Sequence, residues 1–248
     1  MSLKREYWYI IIVYIAMQLS SIVGVPLLMM FGIWRGAEKN AELQQLSGAY
    51  WIVISFLIGL IATLFLIRKE MKNNSDLRNH QASVPTSIFW GFAGIFLALF
   101  SQSIAGAIET AIGIEAGSEN TQTIINLILN VPIVLFVSSV IGPILEEIVF
   151  RKIIFGSLHK RLNFFLSALI SSLIFGAAHG EFIHLLLYTA MGFVFAFLYV
   201  KTNRILVPIF AHVSMNSLVV ITQIVYKDDI EKLQKDAEHV QNFIGGFL

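Results

Sequence analysis

The amino-acid sequence predicts an all-α fold, a polytopic membrane helix bundle with seven to eight transmembrane helices. Three observations predict it. Of the 248 residues, 56% are hydrophobic and only 13% are charged, against about 25% charged in soluble domains. Apolar stretches close to the roughly 20 residues that a spanning helix needs recur along the whole chain. Short polar loops separate them. The net charge of +1 leaves no basic stripe to neutralise phosphates, which excludes nucleic acid as a partner. The absence of cysteine removes disulfides, Cys-ligated zinc and a thiol nucleophile.

The first apolar run is too long for a signal peptide. It is read as a span over about 8–32, with Tyr7, Trp8 and Tyr9 as interfacial anchors. Further spans are predicted at about 48–67, 87–113, 122–141, 143–159, 163–179, 182–200 and 204–226. The 37 residues from Gln122 to Leu158 would measure about 55 Å as one straight helix. That exceeds one bilayer crossing, so a break or kink is expected at Gly142-Pro143. Joining the two pieces there gives seven helices, and separating them gives eight.

The loops carry the orientation. RKEMKNNSDLRNHQ (68–81) holds four Lys/Arg, and IEAGSENTQ (114–122) holds two Glu and no basic residue. By the positive-inside rule the first is cytoplasmic and the second faces out, and Lys4 and Arg5 place the N-terminus in the cytoplasm. His159, Lys160 and Arg161 belong on the inner side too. The tail 227–248 is polar with apolar residues near helical spacing, and reads as an interfacial amphipathic helix. No repeat or linker divides the chain, so 1–248 is expected to be one integral membrane domain.

Ionisable residues inside a membrane are costly and usually functional. Within the predicted spans these are Glu109, Glu146, Glu147, Arg151, Lys152, His179, His212 and, at a helix start, His184. Glu147 and Arg151 stand four apart on one helix face, in the favourable order. Arg keeps its charge and needs a carboxylate in lipid, so this pair has a structural role. Glu146 lies about 100° round the helix from Glu147 and is free for chemistry. His212 and Asn216 are also four apart and share a stripe. His179 follows Gly176, Ala177 and Ala178, small residues that permit close helix approach. Glu109 is expected to snorkel at the outer end of its span, and His184 and His159 to be loop or interfacial residues.

If these three helices converge, they enclose a polar pocket. A Glu beside a His can activate water, and His and Asn donors can hold an oxyanion. The same groups, Glu146, His179 and His212, could instead bind zinc. HGEFIH (179–184) lacks the HExxH spacing that would favour the metal, and no GxSxG supports a serine nucleophile. The helix lengths raise one geometric demand. His179 lies 19 residues beyond Lys160, about 28 Å of helix, and His212 lies 8 beyond Arg204, about 12 Å. Tilt, a longer loop or a kink must bring them to one depth.

Three motifs in order, EEIVFR (146–151), FGAAH (175–179) and HVSMN (212–216), resemble the CPBP (Abi) intramembrane proteases, which include the type II CAAX prenyl endopeptidases. The resemblance covers about 143–220, within a family-like core of about 122–226. It implies an intramembrane endopeptidase that cleaves a membrane-associated peptide or CAAX-like substrate. By the same resemblance, Glu146 and His179 activate water, and His212 and Asn216 stabilise the oxyanion. Glu147 and Arg151 support them, and Phe175 packs. No cofactor is implied, zinc being the alternative. Lys152 stands where many members have Gly. The compact chain is similar to bacterial members, which implies a bacterial plasma membrane. A non-catalytic scaffold, or a bacteriocin-immunity or peptide-binding protein, is the competing reading. A proton-coupled transporter would require repeats that the sequence lacks.

Overall fold

The computed structural model describes residues 5–73, 81–115 and 117–226. The amphipathic tail 227–248 and residues 74–80 of the basic 68–81 loop lie outside the described residues, and 68–73 continue the helix Ala41–Asn73. Those described form helices joined by short turns, with no strand. We number them α1 (Arg5–Leu19), α2 (Ser21–Trp34), α3 (Ala41–Asn73), α4 (Val84–Ala111), α5 (Glu119–Asn130), α6 (Ile133–Leu158), α7 (Phe164–Ala178), α8 (Leu185–Thr202) and α9 (Leu206–Val225). A 3₁₀ turn, Phe182–His184, leads into α8.

Five helices are long and apolar enough to cross a membrane, or six if the bent pair α1–α2 makes one span. The expected count of seven to eight is therefore not reached among the described residues, for two reasons. The region 122–159 breaks at Val131-Pro132, not at Gly142-Pro143, leaving α5 with only 12 residues. Proline fits a helix start, where its missing N–H costs nothing. α7 is apolar but has 15 residues, short of a full crossing. The first span also differs from the straight 8–32 helix. α1 and α2 meet at 45° around Ser20, whose hydroxyl donates to the Met17 carbonyl and accepts from the Trp51 indole. Tyr7 is buried in the core, while Trp8 and Tyr9 stay exposed, so only two of the three expected anchors face outward.

α6 is the central helix. In its most apolar stretch 61% of residues are buried, against 22–39% in the other four spans. α8 packs on α4 and α7, α9 packs on α4, and α1 and α2 pack on α3. Local signals start these helices: Ser83, Ser118 and Asn163 each accept a hydrogen bond from the backbone N–H three residues on. The outward faces carry large apolar side chains such as Ile58, Ile61 and Phe65 of α3 and Phe96 and Phe100 of α4. Apolar exposure on this scale suits lipid rather than water.

Candidate active site

The site is built around an irregularity in α6. Proline at 143 has no N–H to give to the preceding turn. The helix accommodates it with a π-helical turn over Val137–Ile141, an α turn over Gly142–Glu146, and a second π stretch over Glu147–Phe155. Such π turns are frequent at functional sites. The boundary between α and π falls between the two adjacent glutamates. Glu147 is fully buried, whereas Glu146 lines a cavity with its side chain 15% exposed. The split expected from helical geometry is present.

The two carboxylates meet at one ring. His212 Nδ1 lies 2.9 Å from Glu147 Oε1, and His212 Nε2 lies 3.7 Å from Glu146 Oε2. The first is a hydrogen bond in which Nδ1–H donates; the second is just beyond that range. Donation at Nδ1 leaves Nε2 as the nitrogen turned toward Glu146. The imidazole is stacked on Phe195 at 4.4 Å and 20°. Phe195 is fully buried, and what it packs against is His212.

Arg151 is fully buried, 3.5 Å from Glu147 Oε2 through Nε. None of its three guanidinium nitrogens has a partner at hydrogen-bond geometry. The guanidinium lies instead 4.7 Å from the centre of the Phe175 ring and 5.8 Å from that of Phe195. Aromatic faces partly substitute for acceptors in this way. Phe175 is fully buried at the centre of the group, since its ring also meets His179 at 4.6 Å and His212 at 5.9 Å.

That last contact resolves the depth problem. Phe175 of α7 lies level with His212 of α9, so His179 stands one turn further along. His179 caps the C-terminus of α7, and Gly180 turns the chain there with φ +75°, a left-handed conformation that glycine adopts freely. His179 Nδ1 lies 2.9 Å from the Phe175 carbonyl, which fixes Nδ1 as donor and leaves Nε2 as the free nitrogen. Gly176 has room for no side chain: a Cβ there would lie 2.6 Å from Leu185 Cδ1 and 3.3 Å from Tyr188 Cβ. This close approach sets the Tyr188 ring parallel to His179 at 4.1 Å.

All four residues expected to do chemistry, Glu146, His179, His212 and Asn216, line one cavity of about 620 Å³. It reaches from Met17, Trp51 and Phe56 at mid-bundle to Glu115, Ser118 and Asn120 at the end where α4 stops and α5 starts. Among the described residues no group of three His, Asp or Glu side chains is placed so as to hold a metal ion.

A second polar group at that end of the bundle was misread from sequence. Glu109 does not snorkel: it is 2% exposed, accepts the Leu187 N–H at 3.0 Å and meets His184 Nδ1 at 2.8 Å. His184 is correspondingly buried. Glu181 accepts from Ser118 Oγ at 2.7 Å, from the Asn120 N–H at 2.7 Å and from the Tyr188 hydroxyl at 2.6 Å. Burial alone would raise its pKa, but these three bonds outweigh it and hold the carboxyl below the usual glutamate value. Glu181 and Tyr188 escaped the sequence reading; the only signal was their closeness to His179 in HGEFIHLLLY.

The sequence pattern of the family described as type II CAAX prenyl endopeptidase Rce1-like matches residues 128–218, a segment that contains every residue from Glu146 to Asn216 discussed above. The chain is 49% identical to the membrane peptidase YdiL of Bacillus subtilis (strain 168), over 99% of this chain and 100% of that one. It is 35% identical to the membrane-embedded CAAX protease MroQ of Staphylococcus aureus (strain USA300), over 76% of this chain and 81% of that one. It is 27% identical to the UPF0177 protein YxdF of Lactococcus lactis subsp. lactis (strain IL1403), over 66% and 88%. No solved structure matches. With the motif segment matched and two relatives aligned over most of their length, the chain belongs to the Rce1-like family of CAAX-type membrane peptidases.

Proposed function

We propose that this peptidase hydrolyses a peptide bond in a membrane-associated peptide or CAAX-like substrate by direct attack of water. The observation that carries the proposal is the cavity: Glu146, His179, His212 and Asn216 all line it, while Glu147 and Arg151 are shut away behind them. Glu146 takes a proton from water as its oxygen attacks the scissile carbonyl carbon. His179, through Nε2, serves as the second proton-transfer group. His212 in its protonated form and the Asn216 amide donate to the oxyanion that forms. The carbon–nitrogen bond then breaks as the departing amine receives the proton. Glu147 holds the His212 ring by Nδ1, and Arg151 balances the second carboxylate. The steps use carboxylate, imidazole and amide groups, without a bound metal.

The test compares membrane peptide termini in cells expressing wild type with those expressing Glu146→Gln. Termini that need Glu146 and survive metal chelation support the mechanism and identify the substrate. Loss on chelation moves it to zinc, and identical termini in both strains favour the peptide-binding scaffold.

The N-terminus is proposed to be cytoplasmic in a bacterial plasma membrane, because Arg5, Arg68, Lys160 and Arg161 belong to the segments that the positive-inside rule assigns to that side. The cavity mouth, at Glu115 and Ser118, then faces the outer side. The natural lack of cysteine makes this testable. An impermeant maleimide should label Glu115→Cys but not Arg161→Cys in intact cells; the reverse pattern inverts the topology.

A further inference from the structure

We infer that Tyr188 and Glu181 are positioning residues for His179, and that they tie its orientation to the loop at the cavity mouth. The inference rests on the proposed role of His179 in proton transfer. His179 is the last residue of its helix turn, and beyond it Gly180 leaves the helical path. A side chain at such a position is oriented by its neighbours rather than by a surrounding helix. Its Nδ1 is held by the Phe175 carbonyl, its edge by the Phe175 ring, and its face by the Tyr188 ring at 4.1 Å and 24°.

Tyr188 is fixed in turn. It is 7% exposed, and its hydroxyl donates to Glu181 Oε2 at 2.6 Å. The same carboxylate receives Ser118 Oγ and the Asn120 N–H, the residues that start α5. Ser118 and Asn120 line the cavity together with His179 and Tyr188. One carboxylate thus joins the mouth of the cavity to the ring beneath the histidine. A peptide that contacts the 118–121 turn presses on the group that sets His179. Neither Tyr188 nor Glu181 is asked to transfer a proton; they keep Nε2 aimed into the cavity.

The experiment uses purified full-length enzyme in detergent micelles and an internally quenched peptide built on the cleavage site that the terminus comparison maps. Tyr188→Leu removes the stacking ring and should lower kcat about 10- to 100-fold, the cost of a misplaced catalytic group, with KM and melting temperature near wild type. Tyr188→Phe restores the ring and should recover most of that loss. Glu181→Gln weakens the bond that Tyr188→Phe removes and should cost no more than Tyr188→Phe, and the double variant should be no slower than the slower single one, since both act on the same bond. Ser118→Ala, which loosens the same carboxylate, should lower kcat in the same direction as Glu181→Gln but by less. Wild-type kcat in Tyr188→Leu, or additive losses in the double variant, would overturn the inference. If Tyr188→Leu fails to fold, the Tyr188→Phe and Glu181→Gln cycle decides alone. His179→Ala separates the two readings: an active His179→Ala enzyme sinks the mechanism itself, while an inactive one beside a fully active Tyr188→Leu sinks only the positioning role.

Discussion

The bundle buries two carboxylate clusters, one midway along α6 and one at the end where α4, α5 and α8 meet, and they differ in how completely they close. At the end, each Glu109 and Glu181 oxygen has a donor: Leu187 N–H and His184 on the first, Asn120 N–H, Ser118 and Tyr188 on the second. Midway, Glu147 bonds His212 through one oxygen and faces Arg151 at 3.5 Å with the other. Glu146 approaches His212 only to 3.7 Å and otherwise faces the cavity. Unpaired buried groups are costly and persist where they have another use. A closed cluster therefore holds helices together, while an open one keeps capacity for a substrate and a water.

Glu146 is the carboxylate on which the open cluster depends. Glu146→Gln keeps the size and the cavity wall and removes the base. Hydrolysis of the mapped peptide should fall by about 10²- to 10⁴-fold, the span of general acid–base catalysis, with the melting temperature unchanged. Residual activity close to wild type would mean that the open carboxylate has no chemical task.

Arg151 tests the other half of the midspan cluster. Arg151→Met leaves Glu147 buried with His212 as its sole partner, and such a break should cost about 3–5 kcal/mol of stability. Adding Glu147→Gln removes the orphaned charge and should restore much of the melting temperature. Activity should not return, because the His212 Nδ1–H then lacks its carboxylate. A single Arg151→Met protein as stable as wild type would show that these charges are not coupled.

Glu109→Gln probes the closed cluster. It exchanges a charge-assisted contact to buried His184 for a neutral one, and should cost about 1–3 kcal/mol. The folded fraction should keep its kcat, since Glu109 has no place in the proposed chemistry. Thermal melting and steady-state kinetics on one preparation separate the two effects. A large kcat loss without destabilisation would move Glu109 into the reacting site.

The midspan cluster was legible because helix spacing is simple arithmetic. Glu147 with Arg151, and His212 with Asn216, stand four apart, and the chain's oiliness made each polar side chain conspicuous. What spacing could not give was pairing between helices. The Glu147–His212 bond joins residues 65 apart, and Glu109–His184 joins residues 75 apart. Composition makes Glu109 look like a residue that reaches for water, and only the fold supplies a buried histidine opposite. The helix count failed for a local reason: Pro132 and Pro143 carry the same signal, yet the chain breaks at one and widens into π turns beside the other.

Glu181, at the rim of the closed cluster, should give a smaller effect than Glu146, Arg151 or Glu109. Burial would favour the neutral acid, but the Asn120 N–H, Tyr188 hydroxyl and Ser118 hydroxyl favour the carboxylate more, with His184 adding its attraction. Its pKa is thus lower in the folded protein than in the unfolded chain. The sign follows from linkage: the unfolded state binds the proton more readily, so the stabilisation is complete above the ordinary glutamate value and is lost as pH falls through the lower folded value. Wild type should therefore lose melting temperature on acidification through that window, and Glu181→Gln should lose less. Because the side chain is only half-buried, solvent screens the interaction, and the difference between the two curves should be small. Parallel curves would mean that the carboxylate charge contributes nothing at the cavity mouth, and that Glu181 acts there only as a hydrogen-bond acceptor.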